Sequence, residues 1–263
     1  MSIFSTKAGT LINIKNKVAV AEVAELYCIK YKDWTTNKSL IVEKINKSLI
    51  FDEYIVRSSC KNEDLKNISN AGAYLSELHV KKGVLTRAID NVFNSYNPPK
   101  DDDEVLVQPM LQQVVRSGVL FSHDPNTCSP YRVINWSEGN DTSQITGGGH
   151  GRTWQQAANT PDPQQNSPSF IKQLILLCEE LLELFEGQPI DVEFAFTNST
   201  DSTIEEKLWL LQVRPLVLRK DTENNETQTK RLQVVERQIQ RGFRKHPYLM
   251  GKKTVYGVMP DWN

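Results

Sequence analysis

Apolar residues along the chain recur with a helical period first and a strand period later, and the change divides the sequence. Behind a Ser5-Thr6 start, Leu11, Ile12 and Ile14 predict a short helix over residues 7–16. Leu40, Ile41, Ile45 and Leu49 share one helical face, as do Leu85, Ile89, Val92 and Phe93. Between them Tyr54-Ile55-Val56-Arg57 is a compact β-branched run, which predicts a strand ending in Ser58-Ser59. Asn97-Pro98-Pro99 and the acidic run after Lys100 then stop the helical pattern and mark a subdomain boundary. Strands are predicted beyond it at 105–110, 118–121 and 131–136, and a polar, loop-like stretch runs from 146 to 167. A helix starts at Ser167-Pro168 and carries Ile171, Leu174, Cys178, Leu181 and Phe185 on one stripe, which reads as core packing. It stops at Gly187, and two strands follow at 190–196 and 207–213. A polar linker to residue 230 leads into an amphipathic helix over 232–243.

Charge and composition remove several classes of function. Basic and acidic residues nearly balance, 31 against 32, so no global basic field for nucleic acid exists. No apolar run approaches the roughly 20 residues of a membrane span. The N-terminus has no apolar signal core, and the expected location is cytoplasmic. Cys28, Cys60, Cys128 and Cys178 lie far apart, which argues for reduced buried thiols over structural zinc or a disulfide framework. His79, His123 and His246 are scattered and show no metal-ligand spacing.

Strand parity supplies the most informative chemistry. Asp191 and Glu193 share one face of their strand, and Gln212 and Arg214 share one face of theirs. If the two strands form a hairpin, hard oxygen ligands and a guanidinium converge, which suits Mg²⁺ held with a polyphosphate. A solvated edge hairpin has the same pattern. Arg57 with Ser58 and Ser59 at a strand end is anion-binding chemistry, and Ser69-Asn70-Ala71-Gly72 is either a phosphate-approaching loop or a turn. The glycine loop around His150 lacks the Gly-Lys-Ser/Thr ending of a P-loop and reads as a surface loop; His150 is the one internal phospho-acceptor candidate.

Taken in order, these segments resemble a family. Residues 56–72 resemble the "VRSSxxxEDLxxxSxAG" signature of the phosphoenolpyruvate synthase and pyruvate phosphate dikinase nucleotide-binding domain. Residues 105–110 are similar to its "VxVQxM" strand and 117–125 to its "SGVxFTxDP". Asp191-Val192-Glu193-Phe194 and Leu211-Gln212-Val213-Arg214-Pro215 resemble "DIEW…LQxRP", and residues 7–11 more loosely its "GKxxxL". Residues 131–136, 139–142 and 146–148 depart from the synthases and look more like the capsule-biosynthesis branch with its L-glutamine kinase, and residues 256–263 are similar to that branch too.

The resemblance implies an α+β ATP-grasp fold, two lobes clamping a nucleotide, followed by a C-terminal linker and helix. The expected lobes are 1–100 and 101–218, with 219–263 leading toward further domains. It implies a phosphotransferase (kinase) using ATP and Mg²⁺, which passes a phosphoryl group to a histidine of a separate domain and on to a small acceptor. Its partners would be that phosphohistidine domain and an acceptor-binding domain. Lys7 and Arg57 would contact phosphates, Arg214 would reach the γ-phosphate, and Glu193 and Gln212 would hold the metal. Ser58 and Gly72 belong to the implied nucleotide-binding set, with Gln108 and Asp191 nearer base and sugar. A nucleotide-binding sensor module without catalysis is the alternative.

Overall fold

The computed structural model describes residues 4–59, 75–139, 151–158, 160, 167–198, 206–218, 225–242, 244–245 and 252–253. Two antiparallel sheets organise them. The first contains β1 (Tyr27–Lys30), β2 (Glu53–Ser58), β3 (Ser76–Lys81) and β4 (Glu104–Pro109), in the order β1-β4-β2-β3. The second contains β5 (Val114–Phe121), β6 (Tyr131–Glu138), β7 (Arg152–Ala157), β8 (Ile190–Thr197) and β9 (Lys207–Pro215), in the order β7-β6-β5-β8-β9. Helices α1 (Lys7–Ile14), α2 (Tyr31–Thr36), α3 (Lys38–Ser48), α4 (Leu85–Asn94), α5 (Ser169–Leu184) and α6 (Asn225–Gly242) complete the main elements. This is the two-lobed α+β architecture expected of an ATP-grasp protein. Among the described residues no helix is long and apolar enough to cross a membrane.

Each sheet has its own core. Alternation along β2 and β4 turns Tyr54, Val56, Val105 and Val107 toward Trp34, Ile45, Leu85, Ile89 and Phe93 of the first lobe's helices. The opposite faces of these strands carry Ile55, Arg57, Leu106 and Gln108, paired across β2 and β4. In the second lobe α5 buries Phe170, Ile171, Leu174, Leu177, Cys178 and Leu181 against Leu120, Ile134, Val192, Phe194 and Phe196. Each such buried side chain contributes about 1.5–3 kcal/mol.

The lobes do not divide at the expected 100/101 boundary. The proline break at 97–99 is a surface turn, and β4, which follows it, is an interior strand of the first sheet between β1 and β2. Conversely α1, from the N-terminal end, buries Ala8, Leu11 and Ile14 in the core of the second lobe. The crossover therefore lies at residues 110–113, between β4 and β5, where Gln113 adopts φ 55°. Four elements fall outside the predicted ones: β1, α2, the edge strand β3 and the edge strand β7. The last lies within the stretch expected to be loop, because its side chains are mostly polar and none is fully buried. Helix α6 begins at Asn225, inside the expected linker, since Glu, Gln and Lys favour a helix without marking a buried face.

Gly118 explains why a glycine sits in the middle of β5. A Cβ there would stand 2.2 Å from the Asn135 carbonyl oxygen and 2.6 Å from Cζ of Phe194. Neither neighbour has room to retreat inside a five-stranded sheet. Gly118→Ala is expected to cost about 1–3 kcal/mol or more of stability, read as a lower denaturation midpoint; an unchanged midpoint would refute the close-packing account.

His123 is buried, and Ser122 Oγ, which accepts from the Ile190 N–H at 2.8 Å, lies 3.1 Å from its Nδ1. Burial and then the Arg132 charge push the imidazole down to about 4. Below the ordinary value near 6.5 the unfolded chain takes up a proton at this residue that the folded chain refuses until about 4. Stability is therefore full above pH 6.5 and falls as pH drops through that window. The loss approaches about 3 kcal/mol at completion. Chemical denaturation across pH 4–7 should show a flatter profile for His123→Asn than for wild type.

Candidate functional site

The hairpin of β8 and β9 builds one side of the site. Asp191 lies directly opposite Arg214, and Glu193 directly opposite Gln212, while Val192 and Val213 between them face the core. A register shift follows at Glu193/Phe194, so the polar and apolar alternation restarts beyond the site. The Arg214 guanidinium donates through Nε to both Asp191 carboxylate oxygens at 2.8 Å. Asp191 is buried, and that contact fixes the direction of the arginine.

Arg57 comes from the other sheet. Parity along β2 sends Tyr54, Val56 and Ser58 to the helices and leaves Arg57 on the face that meets β8 and β9. Its Nη2 donates to Glu193 Oε2 at 3.0 Å and to Gln212 Oε1 at 3.3 Å. Both charged side chains keep only about a fifth of their surface exposed. Burial pushes the Glu193 carboxyl up, but the charge and hydrogen bond of Arg57, then the charges of Arg214 and Lys7, outweigh it. The net direction is down, so the carboxylate stays ionised.

Lys7 reaches this neighbourhood because α1 is tied to the first lobe at its start. The Thr6 hydroxyl accepts from the Gly9 N–H at 3.1 Å, capping the helix, and donates to Glu104 Oε2 at 2.6 Å. The Ala8 N–H donates to Ser59 Oγ at 2.9 Å. Tyr96 reinforces the same corner, accepting from the Ser59 N–H and donating to the Glu104 carbonyl.

The structure thus brings together Lys7, Arg57, Asp191, Glu193, Gln212 and Arg214. Gln108 is buried on the Arg57 side of β4, paired across from Ile55 and so displaced along the strand from that cluster. Ser58 is not in the site: it is buried on the opposite face of β2, where period-two alternation must put the neighbour of Arg57. Ser59, one position later, is buried as well, and its hydroxyl accepts from the Ala8 N–H. Gly72 and His150 lie outside the described residues. Sequence reasoning missed Thr6 and Glu104, whose contacts needed the fold, while Ser59 was already singled out beside Arg57 at the strand end. Cys28 borders the same face, but burial, then Glu104, pushes its thiol up to about 12, so it is unreactive at neutral pH.

The Glu193 carboxylate and the Gln212 amide oxygen are hard ligands, side by side on one surface. Among the described residues no group of three or more His, Cys, Asp or Glu could hold a metal alone. A divalent cation here would complete its shell from water and a bound polyanion, the arrangement Mg²⁺ favours. Among the described residues Gln212 Nε2 is buried without a hydrogen-bond partner, because the amide turns its oxygen toward the cationic side.

No family model matches the chain, and no curated protein matches it in sequence. Among solved structures, PH1788 from Pyrococcus horikoshii is similar in fold, with a TM-score of 0.51 at 13% identity over 82% of this chain and 92% of that one. The D-alanine-D-alanine ligase of Helicobacter pylori is similar at a TM-score of 0.47 and 15% identity, over 81% of this chain. This chain spans 54% of that ligase. The dinucleotide-forming acetyl-coenzyme A synthetase 1 of Candidatus Korarchaeum cryptofilum is similar at a TM-score of 0.48 and 8% identity, over 81% of this chain and 93% of that one. These likenesses concern the course of the chain; no activity follows from them.

The Arg57–Glu193 pair is neither fully buried nor exposed, so its coupling should fall between the two regimes. A double-mutant cycle with Arg57→Met and Glu193→Gln is expected to give about 1–2 kcal/mol at pH 7. Because the Glu193 carboxyl is depressed below 4.5, the coupling should be present above that pH and disappear as pH falls further. A coupling of zero at pH 7 would show that the contact does not join the lobes.

Proposed function

We propose that the chain is the ATP- and Mg²⁺-binding part of an ATP-dependent phosphotransferase. The supporting observation is the convergence of three cations from separate elements, Lys7, Arg57 and Arg214, on Glu193 beside Gln212. That set has the chemistry of a metal–polyphosphate site: two oxygen ligands for the metal and guanidinium groups for phosphate. Val119 and Phe121 lie across from Glu193 and Asp191 on the same face of β5, a half-buried apolar surface suited to a flat base.

When bound, Mg²⁺ would neutralise charge on the phosphates. Glu193 and Gln212 would hold it; Arg214, braced by Asp191, would orient the terminal phosphate, and Lys7 and Arg57 would screen charge developing during transfer. The ordered motifs favour a route through a histidine of a separate domain to a small acceptor, such as the amide of L-glutamine or pyruvate. A nucleotide-binding sensor would share the binding set and transfer nothing.

Binding is tested first. A ligand selective for the folded state raises its melting temperature by mass action. Mg·ATP at millimolar concentration is expected to raise the midpoint by several degrees, and Glu193→Gln should lose the metal-dependent part of that rise more than the nucleotide part. No shift in wild type would overturn the proposal.

A further inference from the structure

We propose that Arg57 guards the metal-ligand pair: without nucleotide its guanidinium holds Glu193 and Gln212 and keeps free divalent cations out. Metal then enters together with a polyphosphate that draws Arg57 away. This inference rests on the nucleotide reading given above.

The geometry is that of one cation in another's place. Arg57 Nη2 stands 3.0 Å from Glu193 Oε2 and 3.3 Å from Gln212 Oε1, the same two oxygens that would ligate the metal. A divalent ion binds such oxygens at about 2.0–2.1 Å, which would leave it within roughly 5 Å of the guanidinium. Two cations that close repel strongly in a half-buried site. One must leave.

The Gln212 amide carries a second, independent mark of this role. Its Nε2 is buried with no partner among the described residues, while its oxygen faces Arg57. Burying an unpaired N–H is unfavourable, so the amide orientation is set by a cation at its oxygen. With Arg57 as that cation, the ligand pair is already arranged for a metal.

Arg57 is also the arginine able to move. Arg214 is held through Nε by both oxygens of Asp191, its neighbour within the same sheet. Arg57 reaches Glu193 through a single nitrogen and from the other sheet. A polyphosphate offers it several charged oxygens and bidentate geometry in exchange. Release of the guanidinium to phosphate and entry of the metal are then one event, and Arg57 selects metal–nucleotide over metal alone.

The test titrates Mn²⁺ without nucleotide, by electron paramagnetic resonance, into wild type, Arg57→Met, Arg57→Lys and the Arg57→Met/Glu193→Gln double variant. The methionine variant is expected to bind at least tenfold tighter than wild type, and the gain should vanish in the double variant. Arg57→Lys, which keeps the charge, should bind as weakly as wild type and serves if the methionine variant does not fold. Unchanged or weaker binding by Arg57→Met, or tight binding by Arg57→Lys, would overturn the proposal. Wild type is titrated in parallel with Mn²⁺ and a non-hydrolysable ATP analogue. Failure of that titration alone removes the nucleotide reading, while the metal series still decides the role of Arg57.

Discussion

An ion pair between lobes, Arg57 of the first sheet with Glu193 of the second, is the contact on which the arrangement of this site depends. Each partner is placed by strand alternation that also builds a core. Moving β2 by one residue would turn Arg57 toward the helices and Tyr54 and Val56 away from them; moving β8 by one would put Glu193 against α5. Either slip would bury a charge without a partner, at a cost of several kcal/mol. The register of both sheets is therefore held by the packing behind them, and the polar site is the visible side of two apolar decisions. A carboxylate this enclosed would take up a proton more readily if alone. The surrounding cations reverse that tendency and keep Glu193 an anion.

Helix α1 gives the two lobes a second, differently made connection. Its apolar side is part of the second core, through Ala8, Leu11 and Ile14. Its first turn is bound to the first lobe through Thr6 to Glu104 and Ala8 to Ser59. Lys7 sits between those two anchors, so its place near Glu193 follows from hydrogen bonds that neither neighbour could make alone. One hydroxyl, that of Thr6, both ends the helix and reaches across the lobes. The N-terminal segment thus belongs to the second lobe by its core and to the first by its polar contacts.

Much of the fold was legible in the residue pattern. The helical stripes of α4 and α5 and the strands β2, β8 and β9 stand where periodicity puts them, because apolar spacing reports directly which side of an element is buried. Edge strands β3 and β7 were not legible, since a strand with little buried surface carries little apolar signal. The lobe boundary was misplaced for a related reason. Proline and aspartate reveal where the chain turns, and say nothing of which sheet the next strand joins.

The candidate site divides in the same way. The sequence by itself determined that Asp191 shares a face with Glu193 and Gln212 with Arg214, because alternation is a local property of an extended chain. It also determined that Arg57 and Ser58 must point in opposite directions, because the strand runs through both of them. Tertiary structure alone decided that Arg57 meets Glu193 and Gln212, residues 136 and 155 positions away in the chain. It alone decided that Asp191 braces an arginine, and that Thr6 and Ser59 hold Lys7 in place. Local periodicity fixes the side to which a residue turns, but which residue it meets depends on how two separate cores are set against each other.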